Sequence, residues 1–131
     1  MSPKTEKYTW EAFEEDCKKI AVWAEGQHIK NIYGIPRGGL VAAVKLSHLL
    51  DIPLVLNRDD ISRDTLIIDD IIDEGNTIER LIASIGEHHH IASIFYNKTA
   101  KHTPHFFVRE KKSWVVFPWE TEQTSKYDQT I

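Results

Sequence analysis

Apolar residues at helical spacing open the readable part of the chain. Trp10, Phe13, Cys17, Ile20, Ala21 and Ala24 recur at three- and four-residue intervals, with Glu11, Glu14, Glu15, Lys18 and Lys19 between them. That periodicity predicts an amphipathic helix, with Thr9 placed to cap its start and Gly26 to stop it. From Asn31 the pattern changes to short apolar runs separated by helical stretches. Asn31–Ile35, Pro53–Leu56, Thr65–Ile68, Ile91–Tyr96 and Trp114–Phe117 predict strands. Leu40–Leu50 and Asn76–Glu87 predict helices, the second with Ile78, Leu81, Ile82 and Ile85 on its inner face. Pro53–Leu56 is apolar throughout, as in a strand covered on both faces. The strand and helix alternation from Asn31 to Tyr96 predicts an α/β fold, a mostly parallel twisted sheet flanked by helices. Such sheets bind ligands outside the carboxyl ends of their strands. Arg37-Gly38-Gly39 and Asp69–Thr77 both fall at that edge.

Composition narrows the class without changing the fold. The 131 residues suit one domain, and 16 Lys+Arg against 20 Asp+Glu give a net charge of −4 and a pI near 5.9. A net-acidic chain does not suit a general nucleic-acid coat, whose affinity comes from Lys and Arg. The single cysteine, Cys17, cannot form an intramolecular disulfide and fits a reducing compartment; its place on the inner helix face favours packing over nucleophilic catalysis. Met1–Lys7 is not followed by an apolar signal region, and no apolar run approaches the ~20 residues of a membrane span, so a cytoplasmic protein is expected. The polar tail from Thr121 to Ile131 is expected to fray.

The candidate chemistry concentrates in Leu66–Thr77. A buried strand delivers Asp69 and Asp70 to its end, and Asp73, Glu74, Gly75, Asn76 and Thr77 follow before a helix begins. Gly75 permits a tight turn, while free N–H groups at the helix start and the Thr77 hydroxyl can hold a phosphate. Adjacent carboxylates can accept hydrogen bonds from a vicinal diol or help hold a hydrated divalent metal. Capping by Asp69 and Asp70 would explain two acids, but a third at Asp73 and a fourth at Glu74 repel one another unless a cation or ligand compensates. The whole suits a sugar phosphate. There is no G-x-G-x-x-G for a dinucleotide and no G-x-x-x-x-G-K-[ST] for a P-loop kinase.

This segment resembles the phosphoribosyl-diphosphate-binding signature of the type I phosphoribosyltransferases, and within them it is most similar to the small xanthine/guanine (6-oxopurine) enzymes. Pro36–Leu40 resembles their pyrophosphate loop, Tyr96-Asn97-Lys98 the strand end whose lysine meets the purine 6-oxo group, and Ser113–Glu120 the C-terminal hood whose aromatic ring stacks on the base. The matches keep family order over Ile32–Glu120, about two-thirds of the chain. The resemblance implies one domain over residues 1–131, with a core at about 28–98 and a hood built from the N-terminal helix and about 105–120. It implies that Arg37 and Gly38 bind pyrophosphate, that Asp69 and Asp70 hold the ribose hydroxyls, and that Asp70 meets Mg²⁺. Asp73 would act as general acid/base at purine N7, Glu74, Gly75, Asn76 and Thr77 would bind the 5′-phosphate, and Lys98, Trp114 and Val115 would bind the purine. The substrates would be phosphoribosyl diphosphate and a purine base, and the assembly a homo-oligomer, dimer or tetramer.

One departure bears on function. The family's long mobile loop is reduced here to the seven residues 58–64, too few for the usual lid. That shortening raises an alternative, a non-catalytic nucleotide-binding regulator of the same fold. It also makes Arg58 or Arg63 a candidate for a missing cationic contact to pyrophosphate, and the C-terminal tail or a neighbouring subunit a candidate cover. His88-His89-His90 reads as a solvated turn, since consecutive histidines cannot all face one ion.

Overall fold

The computed structural model describes residues 5–88 and 90–126. Its elements are β1 (Thr5–Lys7), α1 (Trp10–Glu25), β2 (Asn31–Gly34), α2 (Gly38–Leu50), β3 (Leu54–Val55), β4 (Thr65–Ile72), α3 (Asn76–Ile85), β5 (Ile91–Tyr96), β6 (Phe106–Glu110) and β7 (Trp114–Val116). Five strands form a parallel sheet in the order β3-β2-β4-β5-β6, while β1 and β7 pair, also parallel, in a separate small sheet.

Alternation along the central strands divides the core in two. Leu66 and Ile68 of β4 join Cys17 and Ile20 of α1 and Ala42 and Leu46 of α2 on one face. Ile67 joins Ile78 and Leu81 of α3 on the other, and Ile72, at the very end of β4, packs there too although its place in the alternation matches Leu66. Each fully buried Leu or Ile contributes about 1.5–3 kcal/mol relative to exposure, so these positions fix both the register of β4 and the side each helix takes. Thr9 caps α1, accepting from the Ala12 N–H at 3.1 Å. Burial pushes the Cys17 thiol up to about 12, as befits a packing residue. Gly34 has no room for a side chain: a Cβ there would lie 2.6 Å from the Gly39 carbonyl oxygen, so α2 rests directly on β2.

Several sequence expectations are corrected. Pro53–Leu56 is not a doubly covered strand; only Leu54–Val55 pair, at the sheet's edge, and Leu56 is 76 % exposed. Phe106–Glu110, within the stretch assigned to the hood, is the opposite edge strand of the large sheet. β4 does not stop at Ile68 but continues through both acids to Ile72. α3 ends at Ile85 rather than Glu87, because Gly86 (φ 92°) turns the chain out of the helix. His88 is not solvated: it is buried, and its Nε2–H donates to the Thr65 carbonyl at 2.5 Å. His89 and the tail beyond Lys126 lie outside the described residues.

A buried polar knot fastens the small sheet to the large one. Asp16 of α1 is wholly buried and accepts from the Tyr8 hydroxyl and from Arg109 Nε of β6 at 2.6 Å. Tyr8 follows β1 directly, and its ring meets Phe95 and Phe117 edge-on, so polar and apolar contacts hold the same junction. Among the described residues no helix is long and apolar enough to cross a membrane.

Candidate active site

The site is built at the carboxyl ends of the parallel strands. Asp69 and Asp70 are buried within β4, and successive residues of a strand face opposite ways. Asp69 accepts from the Asp70 N–H at 2.9 Å, and Asp70 from the Ile71 N–H at 2.8 Å. Burial, outweighing those hydrogen bonds, pushes the Asp70 carboxyl above its ordinary value. The start of α2 closes over it: a Cβ on Gly38 would lie 1.8 Å from Asp70 Oδ2. The adjoining Pro36–Arg37 peptide is cis.

After β4 the chain turns through Asp73-Glu74-Gly75 into α3. Gly75 takes φ 88°, and a Cβ there would sit 3.0 Å from the backbone nitrogens of Lys101 and His102. Those residues belong to the basic 99–105 loop, which braces this turn. Lys101 N–H donates to the Glu74 carbonyl at 2.9 Å, and Lys101 Nζ to Asn76 Oδ1 at 2.8 Å.

Asp73 receives Asn97 Nδ2 at 2.9 Å and Lys111 Nζ at 2.7 Å. Partial burial alone would raise its carboxyl, but the hydrogen bonds from Lys111 and Asn97 and the charge of Lys111 reverse that and hold it below the ordinary aspartate value. The same ammonium lies over the Trp114 ring, 5.1 Å from its centroid, a cation–π contact.

These groups share a cavity of about 220 Å³. The sequence-predicted Arg37, Gly38, Asp69, Asp70, Asp73 and Thr77 line it, as do Trp114 and Val115 of β7. Glu74, Gly75 and Asn76 form the turn beside it without lining it. Lys98 is not brought in: 72 % of its side chain is exposed, and its Nζ lies 3.4 Å from Glu110 on the neighbouring strand. Lys111, one residue past β6, reaches the cavity instead. Sequence reasoning missed it because β6 itself was unrecognised. The missing signal was Phe106-Phe107-Val108, a β-prone run one strand length before Lys111.

Glu120 and the described end of the chain complete the walls. Burial, with the charge of Asp70 adding to it, pushes the Glu120 carboxyl up against the opposing pull of the Phe117 N–H and Arg37. The turn at Thr124–Lys126 lies across the opening: Arg37 Nη2 donates to the Thr124 carbonyl at 3.2 Å, Trp114 Nε1 donates to Ser125 Oγ at 3.2 Å, and Ser125 and Lys126 line the cavity. Arg58 lines a second cavity that shares Ile35, Pro36 and Thr77 with the first, whereas Arg63 lines neither.

Buried acids near the carboxyl end of the middle strand of a parallel sheet, a glycine turn into the next helix and a small second sheet whose Trp114 and Val115 wall the same cavity are the arrangement of a type I phosphoribosyltransferase. Comparison with known proteins agrees, although no family model matches the chain. A xanthine-guanine phosphoribosyltransferase of Nitratidesulfovibrio vulgaris (strain DP4) is 30 % identical over 138 residues, spanning 87 % of this chain and 83 % of that one. The crystal structure of a purine phosphoribosyltransferase from Pyrococcus horikoshii superposes with a TM-score of 0.78 at 27 % identity, over 89 % of this chain and 95 % of the other. A Helicobacter pylori xanthine-guanine-hypoxanthine phosphoribosyltransferase shares the fold, with a TM-score of 0.79 at 20 % identity over 95 % and 98 % of the two chains. The chain belongs to the xanthine-guanine phosphoribosyltransferase family and is an enzyme of the phosphoribosyltransferase class.

Proposed function

We propose that this enzyme transfers the 5-phosphoribosyl group from phosphoribosyl diphosphate to a 6-oxopurine and releases pyrophosphate. The observation that carries the reading is one cavity holding an acid pair, an arginine, an aspartate–lysine pair and an exposed tryptophan face. Asp69 and Asp70 accept the ribose hydroxyls, while the turn at Glu74–Thr77 receives the 5′-phosphate through α3's free N–H groups and the Thr77 hydroxyl. Arg37 and the Gly38 backbone take the pyrophosphate, Arg37 through charge-assisted hydrogen bonds. The purine stacks on Trp114 beside Val115. Its N9 forms the bond to ribose C1 as the C1–O bond breaks, pyrophosphate leaves with the electron pair, and the N7 proton passes to the Asp73 carboxylate.

Mg²⁺ fits the donor set. Buried Asp70 and half-buried Glu120 are carboxyls held above their ordinary values by desolvation, which a cation would relieve. No group of three or more metal-ligating side chains occurs among the described residues, and Mg²⁺ is commonly held by one or two carboxylates together with substrate phosphates. Bound there with Asp70, it would offset negative charge on the leaving group. Family resemblance further suggests a homo-oligomer, dimer or tetramer, which analytical ultracentrifugation measures directly.

The reading is tested by incubating the enzyme with phosphoribosyl diphosphate and Mg²⁺ and each of xanthine, guanine, hypoxanthine and adenine, with products separated by chromatography. Nucleoside monophosphate should form with one or more 6-oxopurines, far less with adenine, and not after chelation of Mg²⁺. Equal or better turnover of adenine would overturn it.

A further inference from the structure

The wider of the two cavities has no place in the reaction proposed above. It measures about 860 Å³, against about 220 Å³ for the substrate cavity, and falls within the roughly 300–1,000 Å³ typical of ligand pockets. It lies between the chain leaving β3 and the first turns of α3, with Leu56, Asn57, Arg58 and Asp59 on one side and Thr77 and Arg80 on the other. We propose that it is a second anion site, in which Arg58 and Arg80 together hold a polyphosphate group that is not a substrate of the transfer reaction.

Both arginines are exposed, and among the described residues neither side chain makes a hydrogen bond or an ion pair. Acids are not scarce in a chain with 20 of them against 16 bases, and Lys30, Lys45, Lys98, Lys111 and Arg109 have each found one. Of the residues lining this cavity Asp59 alone is acidic, so two guanidinium groups leave its wall net positive. Guanidinium presents a planar fork of N–H donors that matches phosphoryl oxygens, and two forks facing one space suit adjacent phosphates. The backbone carries both in place. Asn57 Oδ1 accepts from the Asp59 N–H at 2.9 Å and sets the turn that holds Arg58, while Arg80 stands three residues after Thr77 on the same face of α3.

The leaving pyrophosphate is not the occupant. Arg37 and Gly38 line the substrate cavity and not this one, whereas Arg58 and Arg80 line this one and not the substrate cavity. Thr77 lines both. If its hydroxyl binds the substrate's 5′-phosphate, as the proposed reaction has it, a polyphosphate reaching Thr77 from Arg80 competes with phosphoribosyl diphosphate and raises its KM without altering kcat. Exposed Leu56 and the Tyr33 ring add an apolar wall on which a nucleoside joined to those phosphates would rest.

Calorimetric titration of the wild-type chain with inorganic tripolyphosphate and with ATP reads this site without requiring turnover. Tripolyphosphate should bind, and Arg58→Met and Arg80→Met should each weaken it about tenfold, the scale of one charged hydrogen bond. The double variant should weaken it about a hundredfold, and Arg37→Met by less than about threefold. Neither Arg58 nor Arg80 has a hydrogen bond or ion pair to lose, so thermal melts of these variants should match wild type. Tighter binding of ATP assigns the Leu56 wall to a nucleoside, and equal or weaker binding assigns recognition to the phosphates alone; both support the site when Arg80→Met reduces them. With Mg²⁺ in excess, tripolyphosphate should raise the KM for phosphoribosyl diphosphate, and Arg80→Met should need about ten times more of it for the same rise. Without the anion, that variant's KM should stay within about twofold of wild type. Absence of binding by both anions, undiminished binding in the double variant, or a loss confined to Arg37→Met would overturn the proposal. Anion binding by wild type without turnover of any purine would contradict the proposed reaction and leave the second site standing.

Discussion

Replacing Gly38 with alanine tests whether the first turn of α2 is packed on the acid pair as tightly as its geometry requires. The added methyl carbon would lie 1.8 Å from Asp70 Oδ2 and 2.4 Å from its Cγ, where carbon contacts settle near ~3.5 Å. An overlap of well over 1 Å cannot be absorbed by Asp70 alone, because its backbone is held in β4 and its other oxygen accepts from Ile71. Either the carboxylate rotates out of the cavity or the start of α2 retreats. Overpacking of this kind costs about 1–3 kcal/mol. With an unfolding entropy of roughly 2.1 cal/mol/K per residue, Tm should fall by roughly 4–11 °C. Both ways of relieving the clash also displace a group expected to bind phosphoribosyl diphosphate, so its KM should rise at least about tenfold. Gly86→Ala is the control: that residue also forbids a side chain, through φ 92°, but has no atom within 4 Å of the built Cβ. It should lose stability from backbone strain alone, about 1–3 kcal/mol, with kcat/KM unchanged. Thermal melts and steady-state kinetics on the two variants decide the matter. A Gly38→Ala enzyme with wild-type Tm and wild-type KM would refute the reasoning.

Other consequences follow from the same contacts. Because Asp73 is held below the ordinary aspartate value of about 3.9, its ionisation should not limit activity through the weakly acidic range; Lys111→Met should move the acid limb of the kcat/KM profile upward, and an unmoved limb would count against their coupling. Asp16→Ala leaves Tyr8 and a partly exposed Arg109 without their shared acceptor and should cost about 2 kcal/mol, read as a Tm drop of roughly 7 °C; an unchanged melt would remove the knot's role. Ending the chain after Thr121 removes Thr124–Lys126 from the cavity and should lower kcat/KM about tenfold by admitting water; equal activity would mean that this segment is no cover.

What the sequence disclosed and what it hid have separable physical causes. Local periodicity found α1, α2, α3 and the central strands because Phe13, Ile20, Leu66 and Ile94 are buried at positions their own spacing dictates. The acid pair and the turn before α3 were legible because charged residues directly following an apolar run, here inside β4 itself, are costly to bury without a task. β1, β6 and the edge position of β3 were not, since three-residue and edge strands owe their state to partners far along the chain. His88 looked like a solvated residue because nothing local reveals that Thr65, twenty-three positions earlier, offers its carbonyl. Lys111 was hidden for the same reason: its reach to Asp73 spans thirty-eight positions and depends on the unrecognised β6. Lys98 has the right residue type at a strand end, but its immediate neighbour Glu110 captures it.

The central claim is that Asp73 handles the purine's proton in a site assembled for phosphoribosyl transfer. Its most direct test is turnover of the preferred 6-oxopurine by Asp73→Asn, with the affinity for phosphoribosyl diphosphate and Mg²⁺ measured on the same preparation. The amide keeps the shape and removes the base, so kcat should fall about 10²- to 10⁴-fold while that affinity stays within a few-fold of wild type. Wild-type turnover in Asp73→Asn would contradict the account.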